Sequence, residues 1–277
     1  MRNAVKAPTN SITQGTIFFG VKSPYETCLP CYGISITARC DTARNFKAPS
    51  LTFLPVVSME DWLWYDTLPK CIEKQKKSSF SSLKTFLLAK FGTSTVLDTY
   101  GIEAGFGSID KKEKGINKHH DYYSEALFSE NISAFEWDKL PKSISEKLIF
   151  EANNLLNGKN QNYYFIDSVE CVFGSESQGK KCGFVVILRD IRTISRELAL
   201  EVMIGIDQEK LNILTHVHPT TYQLSIDNDG YCYLTGELIS PFIEQLMQRF
   251  SLLFGRIGTK DVPDIYISEI TKLFGSK

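Results

Sequence analysis

Cys40 and Asp41 form the first pair of neighbours in this sequence whose side chains could do chemistry. A cysteine nucleophile needs a histidine to activate its thiol and a third group that orients the histidine. The chain has four histidines, and none is near Cys40 in sequence. The alternative is structural, because Asp41 can cap a turn and pair with Arg39 or Arg44. The residue types favour the structural role, and catalysis by Cys40 stays the alternative.

A second candidate is the motif His216-Val217-His218. In a strand, alternate side chains face the same side, so two imidazoles at this spacing could bind a metal. Such a site needs further carboxylates or histidines, and Asp227 and Asp229 downstream are better explained by a turn. We therefore predict a polar strand edge here, with a metal or phosphodiesterase site as the alternative.

The chain has seven cysteines, an odd number that argues against a framework of disulfide bonds. Cys28 and Cys31 have the CxxC spacing and could form a four-thiolate zinc site with Cys40 and Cys71. A second close CxxC pair, which would make the zinc prediction specific, is missing from the sequence. We expect scattered apolar thiols, no metal and no cofactor, and we leave zinc binding open.

Lysines cluster in two places, at Lys74, Lys76 and Lys77 and again at Lys111 and Lys112. Basic clusters of this kind can contact the phosphates of nucleic acids. The formal net charge of the chain is only −1, which argues against a dedicated nucleic-acid coat. A solvated helix face is the favoured interpretation of both clusters, and nucleic-acid binding is the alternative.

Two further patterns fall short of a known site. The glycines of residues 101–107 lack the Lys-Ser/Thr pair with which a phosphate-binding loop ends. Asp167 and Glu170, with Lys180 or Lys181, are the only loose match to a metal-dependent nuclease. No constellation of residues in the sequence therefore specifies a reaction.

The pattern of apolar residues predicts the strands and helices that position these candidate residues. Residues 12–57 contain short runs of β-branched and aromatic residues that are typical of strands. Ser58 and Asp61 match the capping box that opens a helix, and Ser240-Pro241 precedes a broad apolar helical stripe. Strand-like segments return after residue 159.

These patterns predict an α+β protein built from three regions packed into one compact body. Residues 1–58 form a small β-barrel-like unit, for which an SH3-like barrel is one possibility. Residues 59–158 are helical and contain an irregular loop at residues 100–118. Residues 159–277 form an antiparallel sheet with closing C-terminal helices.

The amino-acid composition limits the classes of protein to which this chain can belong. The chain has 277 residues, of which 43% are hydrophobic and 23% charged, as in ordinary globular proteins. The first residues lack the apolar core of a secretory signal, and no stretch reaches the roughly 18 apolar residues of a membrane helix. We therefore expect a cytoplasmic protein that does not bind membranes.

Both ends of the chain resemble a known group of proteins. Two segments near the start of the chain, QGTI at residues 14–17 and GISITARCD at residues 33–41, carry the first resemblance. They are similar to the N-terminal sequence of poorly characterised bacterial proteins found in phage-defence and mobile-element gene neighbourhoods. The text SPFIEQLMQRF at residues 240–250 resembles their usual ending. Thr16 departs from the pattern, which has an acidic residue there. The opening is also similar to the SH3-like barrel of the MazF/PemK ribonuclease toxins.

The first resemblance implies an accessory, partner-binding subunit of a bacterial anti-phage defence system, without an active site of its own. Its partner would be an ATPase or nuclease encoded nearby, bound through the loop at residues 100–118 and exposed faces. The second resemblance implies a nuclease or ribonuclease toxin, and the lysines imply a nucleic-acid-binding regulator. The sequence leaves open whether the protein forms an oligomer.

Overall fold

The computed structural model describes residues 4–9, 11–25, 29–109, 114–169, 182–226 and 230–254. The strands are β1 (Val5–Lys6), β2 (Thr16–Val21), β3 (Cys31–Ser35), β4 (Ser50–Ser58), β5 (Tyr163–Ile166), β6 (Phe184–Ile187), β7 (Arg192–Ser195) and β8 (Tyr233–Leu238). The helices are α1 (Arg39–Phe46), α2 (Met59–Asp61), α3 (Leu68–Phe91), α4 (Thr95–Gly107), α5 (Lys114–Ser129), α6 (Lys142–Leu156), α7 (Arg196–Ile204), α8 (Gln208–Thr215) and α9 (Phe242–Phe254). A π-helix (Trp62–Thr67) joins α2 to α3, and 3-10 turns lie at Trp137–Lys139 and Pro219–Gln223.

The described strands form one curled antiparallel sheet, in the order β1-β8-β2-β3-β4-β6-β5. Strand β4 is long enough to pair with β7 along residues 50–53 and with β6 along residues 56–58. The strands of residues 1–58 therefore share one sheet with strands from the second half of the chain, and β8 lies between β1 and β2.

Adjacent residues of each strand point to opposite faces of the sheet, and helices bury both faces. On one face, Phe18 and Phe53 pack with Trp62 of the π-helix and with α7. On the other face, Ile17 and Leu54 pack against α9. This arrangement explains why the central strands are almost continuously apolar in sequence.

The remaining helices form a separate layer around α3. The first half of α3 packs with Trp64 and with α5 and α6, and its second half packs with α4 and the start of α5. Ser58 caps α2 as the sequence predicts, since its hydroxyl accepts a hydrogen bond from the Asp61 N–H at 3.0 Å. Pro69 is the second residue of α3 and directly follows the π-helix, within a helical run that is continuous from Met59.

The prediction of an irregular loop at residues 100–118 is wrong for the part of this range that the structure describes. Residues 95–107 form α4 and residues 114–129 form α5. Helix α4 is kinked at Gly101, whose φ of 83° lies in the left-handed region. Gly105 lets α4 approach α3, because a Cβ atom there would lie 3.2 Å from Leu83. Burial of Ile109 and Ile116 against α3 outweighs the glycine and lysine content that suggested a loop.

The predicted α+β class, with an antiparallel sheet and a closing helix after Pro241, is confirmed. Any further closing helix among the predicted C-terminal helices would fall in residues 255–277, which lie outside the described residues. Among the residues that are described, no helix combines the length and the apolar character needed to cross a membrane.

Candidate functional site

Cys40 and Asp41 lie together in the first turn of α1 and are both exposed. The Cys40 thiol contacts the Asp41 carboxylate, with 3.6 Å between Sγ and Oδ1. Of the two partners predicted for Asp41, Arg39 forms its ion pair with Glu244 of α9 at 3.6 Å instead, and the side chain of Arg44 is not among those described. The backbone carbonyl of Asp41 accepts hydrogen bonds that close the end of α1. The geometry therefore gives this pair a role in the turn.

The two histidines of the HxH motif do not lie in a strand, contrary to the prediction. His216 ends α8, and His218 precedes the 3-10 turn at Pro219–Gln223. The reason is that Val217 and His218 continue the helical hydrogen bonding, since both N–H groups bond to the Leu214 carbonyl. Within the described ranges, no group of three or more His, Cys, Asp or Glu side chains could hold a metal.

Carboxylates accompany part of the first lysine cluster on α3. Lys76 pairs with Glu130 at 2.9 Å, and Lys77 pairs with Glu73 at 2.6 Å. Lys74 is exposed on the same helix. Lys111 and Lys112 lie outside the described residues, as do Glu170, Lys180 and Lys181 of the nuclease pattern. The nucleic-acid interpretation of the lysines stays a prediction.

The cysteines considered for zinc lie in different elements. Cys31 is buried in β3, Cys71 is buried in α3 and Cys40 is exposed on α1, while Cys28 lies outside the described residues. Burial raises the pKa of the Cys31 thiol to about 12 and that of the Cys232 thiol to about 12. These two side chains are therefore protonated and unreactive near neutral pH.

Thiol labelling should separate the buried cysteines from the exposed ones. With iodoacetamide at about pH 8, we expect Cys40 and Cys182 to be alkylated in the native protein, because both are exposed. Cys31, Cys71 and Cys232 should react only after denaturation, since they are buried thiols of raised pKa. Peptide mapping by mass spectrometry gives the extent at each position. Alkylation of native Cys232 at the rate of Cys40 would contradict the burial described here.

A polar cluster that the sequence does not predict lies at the π-helix. Lys70 Nζ donates to Asp66 Oδ2 at 2.7 Å and to Tyr163 Oη at 3.1 Å. Tyr163 Oη donates to the same Asp66 oxygen at 2.7 Å. The cluster ties the π-helix and α3 to β5, which arrives almost 100 residues later. No local motif marks it, because a π-helix has no established sequence signature and Tyr163 is remote in sequence.

The protonation states in this cluster follow from its surroundings. Burial raises the pKa of Tyr163, so its phenol keeps the proton that it donates to Asp66. Burial lowers the pKa of Lys70, but the hydrogen bonds to Asp66 and Tyr163 outweigh burial and raise that pKa above its ordinary value. Lys70 and Asp66 therefore form a charged pair bridged by a neutral phenol, an arrangement suited to fixing the three elements together.

Helices α7 and α8 carry exposed apolar side chains that the core does not use. Leu200 and Ile204 are one turn apart on α7, and Ile213 and Val217 are one turn apart at the end of α8. Ile204 is 78% exposed and Val217 is 65% exposed. An ion pair of 2.5 Å joins Glu201 of α7 to Lys210 of α8. We refer to Leu200, Ile204, Ile213 and Val217 as the α7–α8 face.

Helices α7 and α8 also carry exposed acidic side chains. Glu197 lies on α7, while Asp207 and Glu209 lie at the start of α8, and all three are exposed. Glu197 and Glu209 form no ion pair within the described part of the chain. Large exposed apolar groups with a polar rim are typical of protein-binding surfaces. The face is therefore suited to a partner with apolar side chains and a basic rim.

The fold is that of a mixed α+β protein with a curled antiparallel sheet. The chain matches no protein-family model, no curated protein and no solved structure.

Proposed function

We propose that this protein is a partner-binding subunit and that it docks another protein on the α7–α8 face. The observation that carries the proposal is the exposure of Leu200, Ile204, Ile213 and Val217, side chains that water solvates poorly. Burying them against a partner would supply the hydrophobic term of binding. The acidic residues on the same two helices would select a basic surface and speed association.

The biological setting belongs to the same proposal and is supported by the sequence resemblance at both ends of the chain. The setting is a bacterial anti-phage defence system, in which the partner is an ATPase or nuclease encoded nearby. The sequence predicted that the partner binds through an irregular loop at residues 100–118. Because α4 and α5 occupy the described part of that range, we assign partner binding to the α7–α8 face instead.

The test is co-purification of the protein with the products of its neighbouring genes, followed by calorimetry on the purified pair. We expect Ile204→Glu to weaken binding at least tenfold, because it places a charge in the centre of the buried contact. The matched control is Ile149→Glu, a side chain of 61% exposure on α6, away from the α7–α8 face. It should leave binding unchanged.

Two results would overturn the proposal. One is equal binding by the wild-type protein and Ile204→Glu, which would place the partner elsewhere. The other is cleavage of RNA or DNA by the purified protein alone, with or without magnesium, since a partner-binding subunit has no such activity. Loss of that cleavage in Cys40→Ala or His216→Ala would support the toxin alternative directly.

A further inference from the structure

A polar cleft of about 460 Å³ lies at the C-terminal end of α6, away from the α7–α8 face. It is bounded by the last turns of α6, by the connection from α6 to β5 and by the turn that follows β6. Every side chain that lines it is polar, and four are amides: Asn154, Asn160, Gln161 and Asn162. The volume lies in the range of sites for small organic ligands.

The backbone around the cleft is fixed by hydrogen bonds. Gly158, with a φ of 69°, ends α6, and the Lys159 N–H bonds back to the Asn154 carbonyl at 2.8 Å. The Asn162 N–H donates to the Asn160 side chain at 3.2 Å, and the Asn162 carbonyl accepts from the Leu188 N–H at 3.0 Å. The backbone of the connection from α6 to β5 is thereby held to the sheet before any ligand arrives.

Positive charge exceeds negative charge at this cleft. Lys159 and Arg189 line it, and Glu151 is the one carboxylate among its lining residues. Arg189 Nε donates to Asn162 Oδ1 at 2.7 Å, which orients the guanidinium group. Neither Lys159 nor Arg189 forms an ion pair within the described residues. Arg249 of α9 lies next to Gly158, with its guanidinium group 5.3 Å from the centre of the Tyr164 ring.

We propose that this cleft binds a nucleotide. An oriented guanidinium and an ammonium group without carboxylate partners are suited to a phosphate group. Amide side chains both donate and accept hydrogen bonds, as the edges of nucleobases do. The phosphate therefore lies against Lys159 and Arg189, and the base lies against the amides. This site is independent of the partner-binding surface.

The test is calorimetric titration of the full chain with AMP, GMP, CMP and UMP, with inorganic phosphate and with a single-stranded oligonucleotide. We expect one of the mononucleotides to bind at least tenfold more tightly than inorganic phosphate. Arg189→Gln should weaken that binding at least tenfold, and Lys159→Gln provides a second variant at an exposed position. Lys142→Gln, at the opposite end of α6, is the matched control and should bind as the wild type does.

A separate variant tests whether the amide side chains bind the base. Asn154→Ala should weaken binding of the mononucleotide and leave the affinity for inorganic phosphate unchanged. Three results would overturn the proposal: no mononucleotide binds, both Arg189→Gln and Lys159→Gln bind like the wild type, or inorganic phosphate binds as tightly as every mononucleotide. Binding of the oligonucleotide without any mononucleotide would also overturn it, in favour of a nucleic-acid surface.

Discussion

Phe18→Ala is expected to lower the free energy of unfolding by about 3–5 kcal/mol, which is the usual cost of removing a fully buried aromatic ring. Phe18 has no exposed surface, and its ring meets that of Phe53 edge-to-face at 5.2 Å. The ring lies directly over Gly33 of the neighbouring strand. Rigid strands on both sides limit how far the cavity can collapse. Urea denaturation followed by tryptophan fluorescence measures the change.

Phe80→Ala is the control for this substitution. Phe80 lies on α3 with 38% of its side chain exposed, so its removal opens no closed cavity. We expect a loss of about 1 kcal/mol or less there. Equal losses for Phe18→Ala and Phe80→Ala would mean that the sheet face does not carry the stability assigned to it.

Gly20→Ala is the second substitution with a large expected effect, a loss of about 2–4 kcal/mol from backbone strain and a steric clash together. Gly20 has a φ of 98°, a conformation that L-residues with a Cβ atom rarely adopt. A Cβ atom there would lie 2.6 Å from Cβ and 2.9 Å from Cα of Cys232, so the adjoining chain would have to move. Thermal unfolding monitored by circular dichroism provides the measurement.

Gly92→Ala separates the two causes. Gly92 ends α3 with a φ of 69°, and a Cβ atom added there would meet nothing within 4 Å. This variant therefore reports backbone strain alone, which we expect to cost about 1 kcal/mol. If Gly20→Ala were no more destabilising than Gly92→Ala, the close approach between Gly20 and Cys232 would be wrong.

Strands are the part of this fold that the sequence predicts best. The strand-like runs predicted within residues 12–57 include β2, and those predicted after residue 159 include β5. Both are dense in β-branched and aromatic residues between polar turns, which is a local signal. The pairing of strands is not local. Nothing near Thr16 indicates that its neighbour in the sheet is Glu237, because that choice depends on how the whole chain packs.

The glycine and lysine content of residues 100–118 led to the prediction of a loop where α4 and α5 form. Helix propensity is a weak signal, and burial of Leu97, Ile109 and Ile116 against α3 overrides it. The π-helix could not be predicted either, since its six residues read as an ordinary helical turn. In the HxH motif, the alternation of His216 and His218 suggested a strand, whereas the hydrogen bonds to Leu214 continue a helical turn.

The two surfaces for which binding is proposed were hidden from the sequence for a different reason. The cleft at the end of α6 combines amides from one connection with Arg189 from a later turn, and asparagines spaced along a loop form no motif. The α7–α8 face has an ordinary helical spacing of apolar residues, which predicts burial. Only the packing of α7 shows that Leu198, Ala199 and Val202 fill the core and leave Ile204 outside it.

The order of strands has a consequence for synthesis on the ribosome. Strand β2 is among the first to emerge, yet its partner β8 follows more than 200 residues later. Until then, the hydrogen-bonding groups along that edge of the nascent sheet have no native neighbour, and such edges pair readily with other chains. Contacts of this sequence separation also slow folding. The newborn chain thus depends on late closure of its sheet, and chaperones that shield strand edges would act in that interval.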